Sequence, residues 1–159
     1  KKYPYEISVK NSGEIDTYVR IILKKSMYNK DGEKATDLSL DALDLHLLNS
    51  DDWIVDETVT TKDRMVMYYK KILLVGETTT SLTDYIRIDD SILWKAEEKN
   101  ITEKNGYATI MMDYTYDGIS FAIDIEADAV QTHNAEDAIR SAWGRDVTID
   151  SNGNIESFN

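Results

Sequence analysis

The stretch Ala108-Thr109-Ile110-Met111-Met112-Asp113-Tyr114-Thr115-Tyr116-Asp117-Gly118-Ile119-Ser120-Phe121-Ala122-Ile123-Asp124-Ile125-Glu126-Ala127 decides the fold class. Ala108, Ile110, Met112, Tyr114 and Tyr116 alternate with Thr109, Asp113 and Thr115. After them Ile119, Phe121, Ile123, Ile125 and Ala127 alternate with Ser120, Asp124 and Glu126. A period of two puts every second side chain on one face of a strand, so each run predicts a strand with one buried face. Between the runs, Asp117-Gly118 offers two residues that tolerate positive φ, which predicts a two-residue hairpin turn.

Outward from this hairpin the same period recurs. Val19, Ile21 and Leu23 alternate with Tyr18, Arg20 and Ile22; the turn Asn11-Ser12-Gly13 precedes them, and Tyr5 to Val9 reads as a shorter strand. Met65 to Val75 is long and apolar, which fits a strand bent by a bulge or one buried on both faces. Ile86 and Ile88 mark a strand after the loop Thr78 to Ser81. Asp37 to Asn49 is open: Leu38 to Leu43 fits one helical turn, and Leu45 and Leu47 fit the start of a strand.

One segment has helical spacing. Ala135, Ala138, Ile139, Ala142 and Trp143 fall on one face, Asn134 is placed to cap the start, Asp137 stands at the capping-box position, and Gly144 closes the end. Val147-Thr148-Ile149, a turn at Asn152-Gly153 and Ile155 then predict a C-terminal hairpin. Many strands, tight turns and one short helix near 134–143 describe an all-β protein, a single domain over 1–159 built as a sandwich of two antiparallel sheets; an Ig-like sandwich is the alternative.

Composition narrows the function classes. The 159 residues are 42% hydrophobic and 30% charged, ordinary for a folded domain, and the net charge of −12 opposes binding to nucleic acid or to anionic lipid. Without cysteine there is no disulfide, thiolate metal site or Cys nucleophile. No apolar run approaches the roughly 20 residues of a membrane-spanning helix. The chain opens on Lys1 rather than Met, so an upstream segment is expected, either processed away or lying outside this sequence.

Candidate chemistry is sparse. A zinc peptidase needs clustered imidazole and carboxylate ligands, and the two histidines, His46 and His133, form no His-Glu-x-x-His pattern. His133, Asn134 and Glu136 lie together where the helix starts, so His46, His133 and Glu136 are the metal candidates, against the plainer reading of His133 as a loop residue beside a cap. No Gly-x-Ser-x-Gly occurs, and no residue is marked as catalytic. Asp150 to Asn154 looks like a calcium loop, but aligning Gly153 with the loop glycine puts Thr148 and Asn159 at the first and last ligand positions, so a hairpin turn fits better. Asp31-Gly32 likewise reads as a turn. Trp53, Tyr68, Tyr69 and Tyr85 would stack on sugar rings if exposed together; Trp53 and Tyr85 are the candidate platform. Tyr68 and Tyr69, being adjacent, are expected on opposite faces with at most one in the core. No cofactor is implied.

Three stretches carry a resemblance: Val9-Lys10-Asn11-Ser12-Gly13-Glu14-Ile15-Asp16-Thr17-Tyr18-Val19-Arg20; Tyr68-Tyr69-Lys70-Lys71-Ile72-Leu73 with Gly76-Glu77-Thr78-Thr79; and Glu126-Ala127-Asp128-Ala129-Val130-Gln131 running to Ala142-Trp143-Gly144. In order and spacing they resemble the TasA and camelysin type of exported protein, secreted through a dedicated signal peptidase in Gram-positive bacteria. Met27 stands where that pattern has Trp, and Val75 where Pro often precedes Gly-Glu. The resemblance implies a jelly-roll-like sandwich and an extracellular or cell-surface location. It also implies a structural or adhesive role in a biofilm matrix, with further copies or other surface proteins as partners; the alternative is a surface binding module for a host protein or, through the aromatic platform, a glycan. A camelysin-like metallopeptidase is the minor alternative, and no zinc motif carries over. In the family a further strand precedes the Asn-Ser-Gly turn. This chain starts almost at that turn, so an open sheet edge is expected to accept a strand from another molecule, head to tail.

Overall fold

The computed structural model describes residues 2–4, 6–28, 31–33, 43–61, 63–88, 96–104, 107–114 and 120–159. Eleven strands and one helix lie within them: β1 (Lys2–Pro4), β2 (Thr17–Tyr28), β3 (Leu43–Leu47), β4 (Trp53–Val55), β5 (Arg64–Tyr69), β6 (Thr83–Ile88), β7 (Ala96–Lys104), β8 (Tyr107–Tyr114), β9 (Ser120–Gln131), α1 (Ala135–Trp143), β10 (Val147–Ile149) and β11 (Ile155–Phe158). They form a six-stranded sheet in the order β4-β5-β2-β9-β8-β7, a three-stranded sheet β1-β6-β3, and the hairpin β10-β11. Every pairing is antiparallel. The chain is an all-β sandwich with one short helix.

At the centre, β2 pairs with β9 over twelve residues and with β5 over five. Both faces of this centre are buried. Val19, Ile21, Leu23 and Met27 of β2, Met67 and Tyr69 of β5, and Ile123 and Ile125 of β9 form one core, closed by Leu45 of β3 and by Ile7, Leu73 and Leu82. Tyr18 and Ile22, with Val66 and Tyr68, form a second core on the opposite face, closed by Ala135 and Ile139 of α1 and by Val147 and Ile155 of the hairpin. Tyr68 and Tyr69 do point to opposite faces, but both are buried, because α1 and the hairpin cover the face that a two-layer sandwich leaves wet. Of the two forms expected for Met65 to Val75, burial on both faces holds as far as Tyr69. Beyond it the strand ends, and Leu73 makes only an isolated bridge to Thr17.

The seam between the large sheet and the helical layer is built from arginines and aromatic rings. Arg20 lies over the Trp143 ring at 5.2 Å and Arg145 over the Phe158 ring at 4.8 Å. Tyr68 meets both rings edge-on, at 5.3 and 4.9 Å between centroids. Asp128 takes the Arg20 guanidinium at 2.7 Å, and the buried Asp56 takes that of Arg145 at 3.1 Å. Ring faces thus stabilise charge where water is excluded. Burial pushes the Tyr68 hydroxyl above its ordinary range, so it stays neutral.

Several local expectations shift. Tyr5 to Val9 was expected as a strand; within it 6–9 form none, although Ile7 and Val9 accept hydrogen bonds from Leu82 and Thr79 while the Thr79 hydroxyl takes the Val9 N–H at 3.0 Å. That side chain replaces a backbone partner and breaks the ladder. The main hairpin pairs Ile110 with Ile123, whereas a tight Asp117-Gly118 turn with unbroken pairing would set Met112 there. A shift of two residues keeps every side chain on its face, so the periodicity cannot detect it. The turn expected there falls in 115–119, outside the described residues, as do 37–42 of the open Asp37–Asn49 segment; Leu43–Leu47 is strand.

The helix has its expected extent, with Ala142 alone of the expected face exposed. Gly144 ends it at φ 66. Asn134 precedes it in a left-handed conformation, φ 49 and ψ 48, and its side chain makes no cap hydrogen bond. The expected capping interactions of Asn134 and Asp137 are therefore absent, and the Asp137 carboxylate faces Arg140 instead. The C-terminal hairpin turns at Gly153, φ 83, while Asp150 Oδ1 accepts the N–H groups of Asn152 and Asn154, both at 2.9 Å. A Cβ at Gly153 would lie 2.8 Å from Ile72 Cδ1. Gly153→Ala should therefore lower stability by about 1–3 kcal/mol in urea unfolding, with little change in the denaturant slope.

Candidate functional site

The end of the sandwich where β2 begins and β9 ends is organised by one side chain. Asn11 is buried; its Nδ2 donates to the carbonyls of Ile15 at 2.8 Å and Leu73 at 3.0 Å, and its Oδ1 accepts the Gly13 N–H at 3.0 Å. Its backbone joins the second loop too: Asn11 N–H donates to Glu77 O and Gly76 N–H to Asn11 O, both at 2.8 Å. Residues 74–77 form a four-residue turn closed by Glu77 N–H to Leu74 O, with Gly76 at φ 85 in the third position, where positive φ favours glycine. Val75 occupies the second position, which proline suits, and its N–H donates to Asp16 Oδ1 at 2.9 Å. Leu74 N–H donates to Glu77 Oε1 at 2.9 Å. With these polar groups satisfied, the side chains of Ile15, Leu74 and Val75 are 59%, 47% and 48% exposed.

Beside this tip lies an open cleft of about 470 Å³. Tyr18 and Ile72 line it from the sheet and the turn-bearing segment, Glu136 and Asp137 from the first turn of α1, and Asp150 and Gly153 from the hairpin turn. The Tyr18 hydroxyl donates to Gly153 O at 2.6 Å; burial, then the Asp150 carboxylate, push its pKa up, so it remains a neutral donor. Glu136 Oε1 accepts the Ile149 N–H at 3.0 Å, tying the helix to the hairpin.

The candidates chosen from sequence are scattered. His46 on β3 bonds Asp84 on β6 at 2.7 Å and stacks on Tyr85 at 4.5 Å, with 10° between ring planes. His133 follows β9, its ring 3.4 Å from Asn134 Nδ2, and Glu136 serves the hairpin. His46 and His133 thus belong to different layers, and no group of three or more His, Asp or Glu side chains among the described residues is placed to hold a metal ion. Trp53 is 5% exposed, its indole N–H donates to Thr80 O at 3.1 Å, and its ring packs against Tyr69 at 4.9 Å. Tyr85 sits on the other sheet, half-buried. The two rings share no surface. Met27 is buried in the first core, as a large apolar residue at that position should be.

Neither Asn11 as an organising side chain nor the exposed apolar trio was picked out from sequence. Asn-Ser-Gly marked a turn, but the partners of Asn11 lie far along the chain, and no local pattern distinguishes an outward Ile15 from an inward one. No helix among the described residues is long and apolar enough to cross a membrane. Comparison with protein-family models, with curated proteins and with solved structures finds no match in any of the three.

A latch holds the loop after this tip. Asp52 accepts the Thr80 hydroxyl at 2.9 Å and the Lys71 ammonium at 2.8 Å, next to the Trp53–Thr80 bond. The hydrogen bond from Lys71 is the main cause holding the Asp52 carboxyl below its usual pKa, with Thr80 adding to it. A depressed folded pKa gives stability that is complete above the unfolded value, about 3.9, and lost as pH falls through the folded one. The stability gap between the parent chain and Asp52→Asn, measured by urea unfolding, should therefore be flat near pH 7 and close below about pH 4. Asn11→Ala, which strands the buried Leu73 carbonyl, should cost about 2–3 kcal/mol at every pH in the same assay, and the isosteric Asn11→Asp at least as much.

Proposed function

We propose that this chain is a secreted structural protein of a bacterial cell surface or biofilm matrix, jelly-roll-like in fold, and that copies join by strand donation. The observation that carries this reading is the mismatch between the layers. Six strands face a sheet of only three, β1-β6-β3, whose outer strands are short. At the far edge of the large sheet, β7 runs for nine residues with no strand beyond it among the described residues. An edge of unpaired N–H and C=O groups recruits a further strand unless it is blocked. The residues upstream of the Asn11-Ser12-Gly13 turn, β1 among them, are the natural donor: β1 holds β6 through only three residue pairs, so exchanging it between copies costs little. The sequence resemblance to the TasA and camelysin type supports the same location and role. A catalytic reading gains nothing from the dispersed His46, His133 and Glu136, nor a glycan platform from the buried Trp53.

The absence of native cysteine permits a direct test. Tyr3 and Ile86 are backbone partners across β1 and β6, and antiparallel Cα partners lie within disulfide range, about 4.5–5.5 Å. The doubly substituted chain Tyr3→Cys/Ile86→Cys, oxidised as a monomer, should stay dispersed under negative-stain microscopy and form filaments after reduction. A mixture of the two single variants should yield disulfide-linked dimers as filaments grow. Filaments from the locked chain, or dispersed particles alone from the reduced one, overturn strand donation through β1.

A further inference from the structure

We propose that the Ile15–Leu74–Val75 tip, together with the acidic cleft beside it, docks a partner segment that is apolar at its centre and basic at its flanks. Among the residues whose burial is described, five large hydrophobics are exposed, and three of them stand on this tip. Singly, exposed apolar residues are ordinary; gathered on two loops that one buried asparagine ties together, they form a patch. The loops are also preorganised: the N–H groups of Leu74, Val75, Gly76 and Glu77 are all bonded within the tip. A partner therefore loses little entropy in ordering them. With these four N–H groups already bonded, the turn offers a newcomer apolar side chains rather than backbone donors.

Charge selects the occupant. Around the trio stand Glu14, Asp16 and Glu77 with Lys10, and the adjoining cleft adds Glu136, Asp137 and Asp150 with Arg140 facing Asp137, so the carboxylates outnumber the bases. Asp16, Glu77, Glu136 and Asp150 accept backbone N–H groups, which fixes these four carboxylates in place without neutralising them, while Arg140 offsets Asp137. A second copy of this chain, at −12, would bring like charge to such a surface, and an anionic membrane would be repelled. Lysine or arginine side chains flanking an apolar centre match it on both counts, with a cleft wide enough to receive one of them. This surface is separate from the β1 and β7 edges, so docking and assembly stand or fall independently.

The test uses the isotope-labelled chain and the capped peptide Lys-Lys-Leu-Val-Leu-Lys-Lys, followed by amide chemical shifts. Shifts should concentrate at residues 13–16, 73–77 and 134–137. The triple change Ile15→Ser/Leu74→Ser/Val75→Ser should weaken binding by about tenfold or more, and Glu14→Gln/Asp137→Asn by about three- to tenfold, with salt dependence reduced in the second case only. Equal binding of Glu-Glu-Leu-Val-Leu-Glu-Glu, shifts centred elsewhere, or no shifts at millimolar peptide overturns the proposal. So does trio-dependent self-association in sedimentation, or trio-dependent flotation with phosphatidylcholine vesicles, since each assigns the patch to a different occupant.

Discussion

Two adjacent tyrosines in one strand cannot both leave water unless both faces of that strand are covered, and this constraint shapes the molecule. Tyr68 and Tyr69 are each almost fully buried, as are the neighbours Tyr18 and Val19, and Ile21 and Ile22. Burying a large side chain contributes about 1.5–3 kcal/mol, so the centre of the sheet supplies stability from two cores at once. It also commits the chain to building a third layer. After β9 the chain turns through His133-Asn134 and lays α1 and then β10-β11 across the face that carries Tyr18 and Tyr68. Where this layer meets the sheet, Arg20 and Arg145 are half-buried; the Arg20 Nε lacks a hydrogen-bond partner, and the Arg145 Nε has only its 3.1 Å ion pair with Asp56, off hydrogen-bond geometry. Ring faces, with Asp128 and Asp56, offset that loss.

Much of this was legible in the residue pattern, and the failures share a cause. The fold class, the helix and the C-terminal hairpin follow from local periods and turn residues, which act within a few residues of themselves. The second core was half visible: Tyr18-Val19-Arg20-Ile21-Ile22-Leu23 is apolar at odd and even positions alike, as expected of a strand with no wet face. Read as simple alternation, it hid the third layer. The two-residue register shift of the main hairpin changes no face and leaves no trace in composition. Asn134 fails as a side-chain cap because its backbone is left-handed, a conformation set by how β9 must turn into α1 rather than by the residue itself.

The candidate surface was the least legible part, for a physical reason. Whether Ile15 faces in or out depends on a hydrogen bond from Asn11 to Leu73, 62 residues away in sequence. Hydropathy reports what a side chain prefers; it does not report what a distant loop allows. His46, His133, Trp53 and Tyr85 attracted attention for what their side chains can do, whereas the exposed surface is set by what neighbouring backbones need.

The two proposed modes of association differ in what they draw on. At the β7 edge no further strand pairs the backbone among the described residues, so recognition there would read main-chain geometry and tolerate many sequences. At the Asn11-organised tip the N–H groups of residues 74–77 are bonded and apolar side chains are exposed, so recognition there would depend on shape and flanking charge. A strand offered to the tip finds no ladder to extend, and a basic, apolar segment offered to the edge gains nothing from its side chains. On the proposed reading, pairing with its own kind and contact with a different partner fall on separate surfaces, one selected by backbone geometry and the other by side-chain shape and charge.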